Sequence, residues 1–484
     1  MVRTGKANDE ERNFGQNTKQ HSSPYLNTQT CRSLFLVALV ILSPVAARAQ
    51  HFPSDEDLMT LIQSRVDEGR AVGIVLGVIE ADGTTRTVSH GEAGPSARSL
   101  GEKSVFEIGS ITKVFTAILL VDMAGRGEVS LTDPVAKYMP EGVTIPSRSG
   151  REITLLDLST HHSGLPRLPE NMSPSDAANP YADYTAEQMY TFLSGYELSR
   201  DIGSEYEYSN LAVGLLGHVL ARVSGGSYES LVRERILEPL DMTRTGIALD
   251  EDMQNWMADG HDPEGNVVPL WDLPTFAGAG ALRSDVTDML VFLAANTGPA
   301  ETPLERSMRD SHEVQKRVNK RMAVALNWHV QYVGDEKILW HNGGTAGFRT
   351  FIGFDPARNV GVVVLTNSGH GADDIGFHLI NPGMPLAEPP VERIEVKVPR
   401  DILDRYIGEY ELTPDFAIVV TRKRRGLYVQ ATGQEKFQVF AESETKFFYK
   451  VVDAQISFVE DDSGAIVSLI LHQNGADQPA RRVK

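Results

Sequence analysis

Cysteine is almost absent from this sequence. Cys31 is the single cysteine among 484 residues, and it lies ahead of a short apolar run at residues 34–42. That run, followed by the small-residue pattern Ala47-x-Ala49, predicts a signal peptide over residues 1–49 with an unusually long polar beginning. Cleavage after Ala49 would leave no cysteine, which excludes disulfides, a catalytic thiol and a thiolate metal site. We therefore expect a periplasmic or secreted protein.

Long apolar runs and an excess of positive charge are also missing. Residues 34–42 are too short to span a membrane comfortably, so we expect no stable membrane span after cleavage. The chain has 46 Lys and Arg against 65 Asp and Glu, a formal net charge of -19 at pH 7. An acidic surface of this kind argues against nucleic acid and anionic membranes as the main partners.

A metal-binding pattern is lacking as well. The adjacent His161 and His162 should point apart, and no third ligand follows at a useful spacing. The sequence His-Glu-x-x-His does not occur. We expect no metal and no cofactor.

The order of the secondary-structure signals predicts an α+β fold. Apolar strand-like runs occur near the beginning, at residues 73–88, and again at residues 322–333, 337–340, 347–354 and 360–366, with helical patterns between them. Strands at both ends suggest one antiparallel sheet flanked by helices in three layers, with a helical subdomain beside it. We expect this larger domain over residues 51–381.

The last hundred residues have a different character. Prolines at 382, 385, 389, 390 and 399 predict a semi-rigid linker over residues 382–399. About seven short strand patterns follow, so we expect a small all-β, barrel-like domain over residues 400–484.

Ser110 and Lys113 form the most informative pair in the sequence. Their spacing of three places both side chains on one helix face, with the amine in reach of the hydroxyl. A serine hydroxyl needs such a neighbouring base to become a nucleophile. The helix predicted after Lys113 is almost entirely apolar, and a lysine buried in its first turn needs a task to offset the cost of burial.

Two further segments carry suitable chemistry. Tyr208 and Asn210 precede an apolar helix, where a phenol can relay protons and an amide can orient an amine. Residues 341–344, His-Asn-Gly-Gly, end a predicted strand, and a glycine N–H there can stabilise an oxyanion. Each segment alone also fits an ordinary packed tyrosine or a glycine-rich hairpin.

Together these motifs resemble the serine β-lactamase and penicillin-binding-protein superfamily, most closely its class C-related group. Residues 106–113 match the Ser-x-x-Lys motif, residues 208–210 match Tyr-x-Asn, and residues 341–343 stand where Lys-Thr-Gly is expected. Residues 161–166 and 277–280 resemble loops common in the family. The resemblance covers roughly residues 54–380 and implies the β-lactamase/transpeptidase-like fold.

The resemblance also implies roles for individual residues. Ser110 would be the acylated nucleophile, Lys113 and Tyr208 would handle its proton, and Asn210 would hold Lys113 or the substrate amide. His341, Gly343 and Gly344 would contact substrate, with the backbone N–H groups of Ser110 and Gly344 as the oxyanion hole. Which of Lys113 and Tyr208 is the base stays open, because the two groups can titrate as a unit.

His341 departs from the family pattern, since a lysine there would be a permanent cation and histidine is mostly neutral at pH 7. The departure favours an esterase or peptidase acting on small esters or D-amino-acid peptides over a true class C-type β-lactamase or a D-alanyl-D-alanine carboxypeptidase. A non-catalytic, peptidoglycan-binding relative is a third alternative. The predicted β domain resembles the lipocalin-like module of some relatives, where it is an appendage, covers the active-site mouth or mediates a homo-oligomer.

Overall fold

The computed structural model describes most of the chain after the predicted signal peptide. The described residues are 50–389, 393–413, 416–424, 426–432, 436–450, 454–473 and 476–484. The predicted signal peptide and Cys31 lie outside them. No helix in these described ranges has the length and apolar character needed to cross a membrane.

The first part of the chain builds a sheet from both of its ends. Its strands, short ones included, are β1 Gly73–Ile79, β2 Thr85–Gly91, β3 Phe106–Glu107, β4 Ser147–Arg148, β5 Arg151–Glu152, β6 Gly260–His261, β7 Val267–Val268, β8 Arg283–Ser284, β9 Lys316–Arg317, β10 Met322–Val324, β11 His329–Val333, β12 Glu336–Gly344, β13 Arg349–Asp355 and β14 Val360–Thr366. Eight of them form one antiparallel sheet in the order β2-β1-β14-β13-β12-β11-β10-β9. Strands β1 and β14 are apolar and buried along their whole length, because both faces of the sheet are covered.

Helices cover both faces of this sheet. They are α1 Asp55–Asp67, α2 Thr112–Gly125, α3 Leu155–Ser159, α4 Ala186–Gly195, α5 Asn210–Ser224, α6 Tyr228–Val232, α7 Glu251–Trp256, α8 Ala277–Gly280, α9 Val286–Thr297, α10 Pro303–Ser311 and α11 Asp373–Ile380. The larger core packs α2, α5 and α9 against one face, and a smaller core packs α1 and α11 against the other. Single turns at Gly109–Ile111, Val135–Tyr138 and Arg233–Leu237 join these elements.

One predicted strand, residues 322–333, is divided in the structure. It forms β10 and β11, and the intervening Asn327 adopts a positive φ of 55°. The backbone N–H of Asn327 donates to the carbonyl of Ser159, and its side-chain amide donates to the carbonyl of Lys113 at 3.0 Å. The turn therefore ties the sheet to the helix that carries the serine–lysine pair.

The last part of the chain forms a closed barrel of eight antiparallel strands, one more than the pattern indicated. After α12, Arg400–Arg405, they are β15 Gly408–Thr413, β16 Phe416–Lys423, β17 Gly426–Ala431, β18 Lys436–Ala441, β19 Lys446–Tyr449, β20 Ala454–Glu460, β21 Ile466–Gln473 and β22 Ala476–Arg482. Inward side chains fill the barrel, and Tyr406 stacks on Phe458 at a ring distance of 4.0 Å. The predicted α+β fold with a C-terminal β-barrel is confirmed.

Candidate active site

A glycine turn positions Ser110 at the start of α2. Gly109 has a φ of 50°, which favours glycine, and a Cβ there would lie 2.8 Å from the Gly344 nitrogen. The chain therefore passes from β3 into the turn Gly109–Ile111 with its backbone pressed against β12. Ser110 is left half-buried at the edge of the sheet.

Lys113 lies completely buried one turn beyond Ser110. Its Nζ is 2.9 Å from Ser110 Oγ, 2.9 Å from Asn210 Oδ1 and 2.7 Å from the carbonyl oxygen of Ala279. Burial, and secondarily the charge of Arg167, holds the pKa of Lys113 well below the usual lysine range. The favoured state is therefore the neutral amine.

The neighbours of this amine fix the direction of its lone pair. The Ala279 carbonyl and the Asn210 side-chain oxygen can only accept hydrogen bonds, so they take the two protons of a neutral amine. The remaining position faces the Ser110 hydroxyl, which can then donate to the lone pair. Sequence reasoning identified Asn210 for this task and missed Ala279.

Tyr208 and Asn210 come from the beginning of α5. Ser209 caps this helix by accepting from the Ala212 N–H at 2.9 Å, which fixes the residues on either side of it. The Tyr208 ring lies 4.9 Å from Lys113 Nζ. Burial raises the pKa of Tyr208, against the opposing effect of a hydrogen bond with Ser110, so the phenol keeps its proton.

The end of β12 forms a free strand edge beside Ser110. Pairing between β11 and β12 ends at His329 and Trp340, whereas β12 stays paired with β13 as far as Gly344. A Cβ on Gly343 would lie 2.0 Å from the carbonyl oxygen of Ile108, so only glycine permits this approach. Beyond Trp340, no described strand pairs with β12 on the side of the turn Gly109–Ile111, although the Asn342 carbonyl there contacts His341 Nδ1 at 2.6 Å.

His341 differs from its expected position facing the substrate. Its side chain is fully buried and stacks on His329 at 4.9 Å, with Tyr208 at 6.1 Å. Burial lowers the pKa of His341 well below the usual histidine range. The imidazole therefore adds no cation to the site.

His161 belongs to the same cluster, although the sequence drew attention to it only as an unlikely metal ligand and as the first residue of a loop that resembles the family. Its Nδ1 accepts from the Ser209 N–H at 3.1 Å, and its ring lies 4.6 Å from the Tyr208 ring. Burial lowers its pKa too. No group of three or more potential metal ligands occurs within the described ranges.

Two arginines that sequence reasoning missed line the cleft above Ser110. The cleft has a volume of about 430 Å³, and its lining residues are Ser110, Arg167, Tyr208, Trp271, His329, Asn342, Gly343, Gly344, Thr345 and Arg349. None of these lining side chains is acidic. Arg167 directly follows segment 161–166, and Arg349 follows the glycine-rich segment 343–347. Their closeness in sequence to these two motifs was the one signal that could have predicted them.

The two arginines are held differently. Arg167 is exposed, and its guanidinium carbon lies 5.1 Å from the centre of the Tyr208 ring. Arg349 is half-buried and donates to the carbonyls of Thr345 and Phe348 at 2.5 and 2.8 Å. The nearby Asp373 accepts from Asn342 at 2.5 Å, and burial raises the pKa of Asp373 to about 6.

Comparison with known proteins agrees with this geometry. The beta-lactamase family model matches residues 58–380, and a domain of unknown function (DUF3471) matches residues 392–482. The chain is 32% identical over 317 residues to the D-alanyl-D-alanine-carboxypeptidase/endopeptidase AmpH of Escherichia coli K12, covering 62% of this chain and 80% of the relative. It is 24% identical over 417 residues to penicillin-binding protein 4* of Bacillus subtilis, covering 80% and 89%.

Solved structures agree as well. The class C beta-lactamase from Rhodobacter sphaeroides superposes with a TM-score of 0.59 at 25% identity, over 67% of this chain and 99% of the other. The predicted superfamily resemblance is confirmed. The chain belongs to the beta-lactamase family and is a serine hydrolase.

Proposed function

We propose that this protein cleaves small peptides with a free terminal carboxylate, such as those ending in D-alanine, through an acyl-enzyme on Ser110. The observation that carries the proposal is the buried Lys113 amine, which holds a hydrogen bond to Ser110 with its other two contacts taken by acceptors. Such an amine is a general base placed at the nucleophile.

The directions of the two pKa shifts support separate roles for Lys113 and Tyr208. Lys113 favours its neutral form and can take the Ser110 proton as Oγ bonds to the carbonyl carbon. Tyr208 keeps its proton and is placed to supply one to the departing amine as the carbon–nitrogen bond breaks. Water then attacks the acyl-enzyme with the same groups in reverse.

The free edge of β12 supplies the remaining contacts. The N–H groups of Ser110 and Gly344 would bind the oxyanion, where each well-placed donor contributes on the order of 10²–10³ in rate. A substrate backbone would pair with residues 341–344 as an added strand.

The charge of the cleft supports a substrate with a carboxylate. With His341 neutral, Arg167 and Arg349 are the cations among the lining residues, and both can bind a carboxylate through two parallel hydrogen bonds. AmpH, the relative described above, is named as a D-alanyl-D-alanine carboxypeptidase and endopeptidase. A neutral ester could react with Ser110, but it has no carboxylate for Arg167 and Arg349 to bind.

The test compares matched substrates on the purified mature chain. An acylated D-alanyl-D-alanine peptide and its C-terminal amide are assayed with wild type, Ser110→Ala, Arg349→Gln and Arg167→Gln. We expect Ser110→Ala to be inactive, and each arginine variant to raise KM for the free carboxylate by roughly tenfold or more with little effect on the amide.

The control is Arg222→Gln, on the outer side of α5. Equal loss on both substrates would contradict the carboxylate assignment. Faster turnover of a β-lactam than of any peptide would replace the peptidase with a β-lactamase.

We also propose that the protein is exported. Residues 34–42 and the pattern Ala47-x-Ala49 support a signal peptide. Mass spectrometry of the mature N-terminus after expression in a bacterium with a periplasm should find Gln50 first, and a cytoplasmic chain that retains residues 1–49 would contradict export.

A further inference from the structure

The C-terminal barrel carries a second arrangement of serine, histidine and aspartate. Ser457 on β20, His472 on β21 and Asp477 on β22 lie on three neighbouring strands. His472 pairs directly with Asp477, and Ser457 pairs with Ile470, two residues before the histidine. These alternating positions place the three side chains on one face of the sheet.

The three groups form a continuous relay. Ser457 Oγ is 2.8 Å from His472 Nε2, and His472 Nδ1 is 2.6 Å from Asp477 Oδ1. A carboxylate can only accept, so in the neutral imidazole Nδ1 carries the proton and Nε2 can offer its lone pair to the serine. This is the order of contacts by which a histidine activates a serine.

The relay lies on the outer surface of the barrel. The neighbours of Ser457 along β20, Ile456 and Phe458, point into the buried barrel core, so Ser457 points outward and is half-buried. The side chains of His472 and Asp477 are 29% and 75% exposed. All three residues are therefore at least partly exposed to solvent.

The surroundings decide which reagents suit this serine. The strands around Ser457 are paired on both sides, with β20 between β19 and β21, so their backbone N–H groups are engaged in the ladders. Within the described strands, the ladder N–H groups beside Ser457 are therefore not free to act as the prearranged oxyanion donors that amide hydrolysis needs. It suits acyl or phosphonyl donors with good leaving groups.

We propose that Ser457 is a second activated serine and a site of covalent acylation by activated esters. Ser457 Oγ bonds to the carbonyl carbon of an aryl ester while its proton moves to His472 Nε2. The bond from that carbon to the aryloxide then breaks, and the aryloxide takes the proton. A fluorophosphonate reacts in the same way at phosphorus, with fluoride as the leaving group.

The experiment uses the full mature chain with Ser110→Ala, so that the cleft serine is silent. The protein is incubated with a fluorophosphonate, and the adduct is measured by intact mass and located by peptide mapping. We expect one adduct per chain at Ser457, absent from Ser110→Ala/Ser457→Ala and formed about 100-fold more slowly in Ser110→Ala/His472→Gln.

Ser468 provides the matched control, because it lies half-buried on β21 of the same barrel and is not part of the relay. Ser110→Ala/Ser468→Ala should keep the full labelling rate, and circular dichroism should show folded barrels in all variants. A Ser110→Ala chain that takes no adduct, takes it at another serine, or takes it at an unchanged rate without His472 overturns the proposal. None of these outcomes depends on what the cleft hydrolyses.

Discussion

At the scale of single residues, the site is organised around a lysine without a counter-ion. Burial and the positive charge of Arg167 both lower the pKa of Lys113, and no carboxylate raises it. A permanently charged ammonium would be costly in this position. Burial thus favours the unprotonated amine, which is the form that can accept a proton at neutral pH.

Lys113→Met tests this assignment. The methionine has a similar volume but no amine, so kcat/KM should fall by about 10²–10⁴. The melting temperature should change little, because removal of a costly buried amine is offset by the loss of its hydrogen bonds to Asn210 Oδ1 and the Ala279 carbonyl. Steady-state assays and thermal unfolding of the same preparations measure both quantities. A matching loss with Lys103→Met, an exposed lysine outside the cleft, would contradict the specific role.

The pH profile of the wild type gives a second check on Lys113. If Lys113 is the base, the reactive form is its neutral amine, whose pKa is lowered, so kcat/KM should be lost as pH falls through that lowered pKa and be restored as pH rises. The rate should stay high above neutral pH, because the raised pKa of Tyr208 keeps the phenol protonated there. A rate that rises only near the ordinary lysine pKa would contradict a neutral amine.

Tyr208→Phe separates the two proton-handling groups. The ring contacts with Lys113, Arg167 and His161 are kept, and only the phenolic proton is lost. We expect a loss of about 10²–10³ for an amide, whose leaving group needs a proton, and a much smaller loss for a nitrophenyl ester, whose leaving group does not. Equal losses on both substrates would point to Tyr208 as the base for Ser110.

At the scale of elements, the close approach of β12 to the turn Gly109–Ile111 holds the Gly343–Gly344 segment beside Ser110. Gly343 and Gly344 are adjacent but differ sharply in the space around them. A Cβ on Gly343 would meet Ile108 O at 2.0 Å and Thr350 Oγ1 at 2.2 Å, whereas one on Gly344 would meet Arg349 at 3.6 Å. Packing therefore requires glycine at position 343, whereas position 344 has room for a methyl group.

The pair gives a matched prediction. Gly343→Ala should lower the unfolding free energy by about 2 kcal/mol or more and remove activity, because strand and turn must separate. Gly344→Ala should unfold within about 0.5 kcal/mol of wild type. Denaturant titrations of both variants measure the difference, and similar losses for the two would contradict the close approach of β12.

The elements also show how far sequence reasoning reaches. The helix after Ser110 and the apolar strands were predictable because their patterns are local. The division of residues 322–333 was not, since it depends on Asn327 bonding to Ser159 and Lys113, which lie far away in the sequence. The acceptor role of Ala279 and the placement of Arg167 beside Tyr208 likewise arise only when distant segments meet.

At the scale of the whole molecule, the buried histidines couple stability to pH. His161, His329 and His341 pack around Tyr208 with lowered pKa values, about 4 for His329. Between that value and the ordinary 6.5, the unfolded chain binds protons that the folded chain does not. Stability should therefore be complete above pH 6.5 and be lost as pH falls towards 4.

His329→Gln should flatten this dependence. Removing one such group should reduce the loss of unfolding free energy between pH 6.5 and 4 by about 3 kcal/mol, the value of its pKa shift. Chemical denaturation at several pH values measures it. His90→Gln on β2, outside the cluster, is the control, and an unchanged slope in His329→Gln would contradict the coupling.

The sheet joins β1, near the beginning of the domain, to β14, near its end, and this has a consequence for the newly made chain. Ser110 and Lys113 leave the ribosome early, but Gly343 and Gly344 follow about 230 residues later. At ~5–20 residues per second, that interval is roughly 10 to 50 s. Throughout this interval, Ser110 lacks the proposed oxyanion donor of Gly344 and the sheet lacks its central strands, so we expect the nascent chain to be inactive.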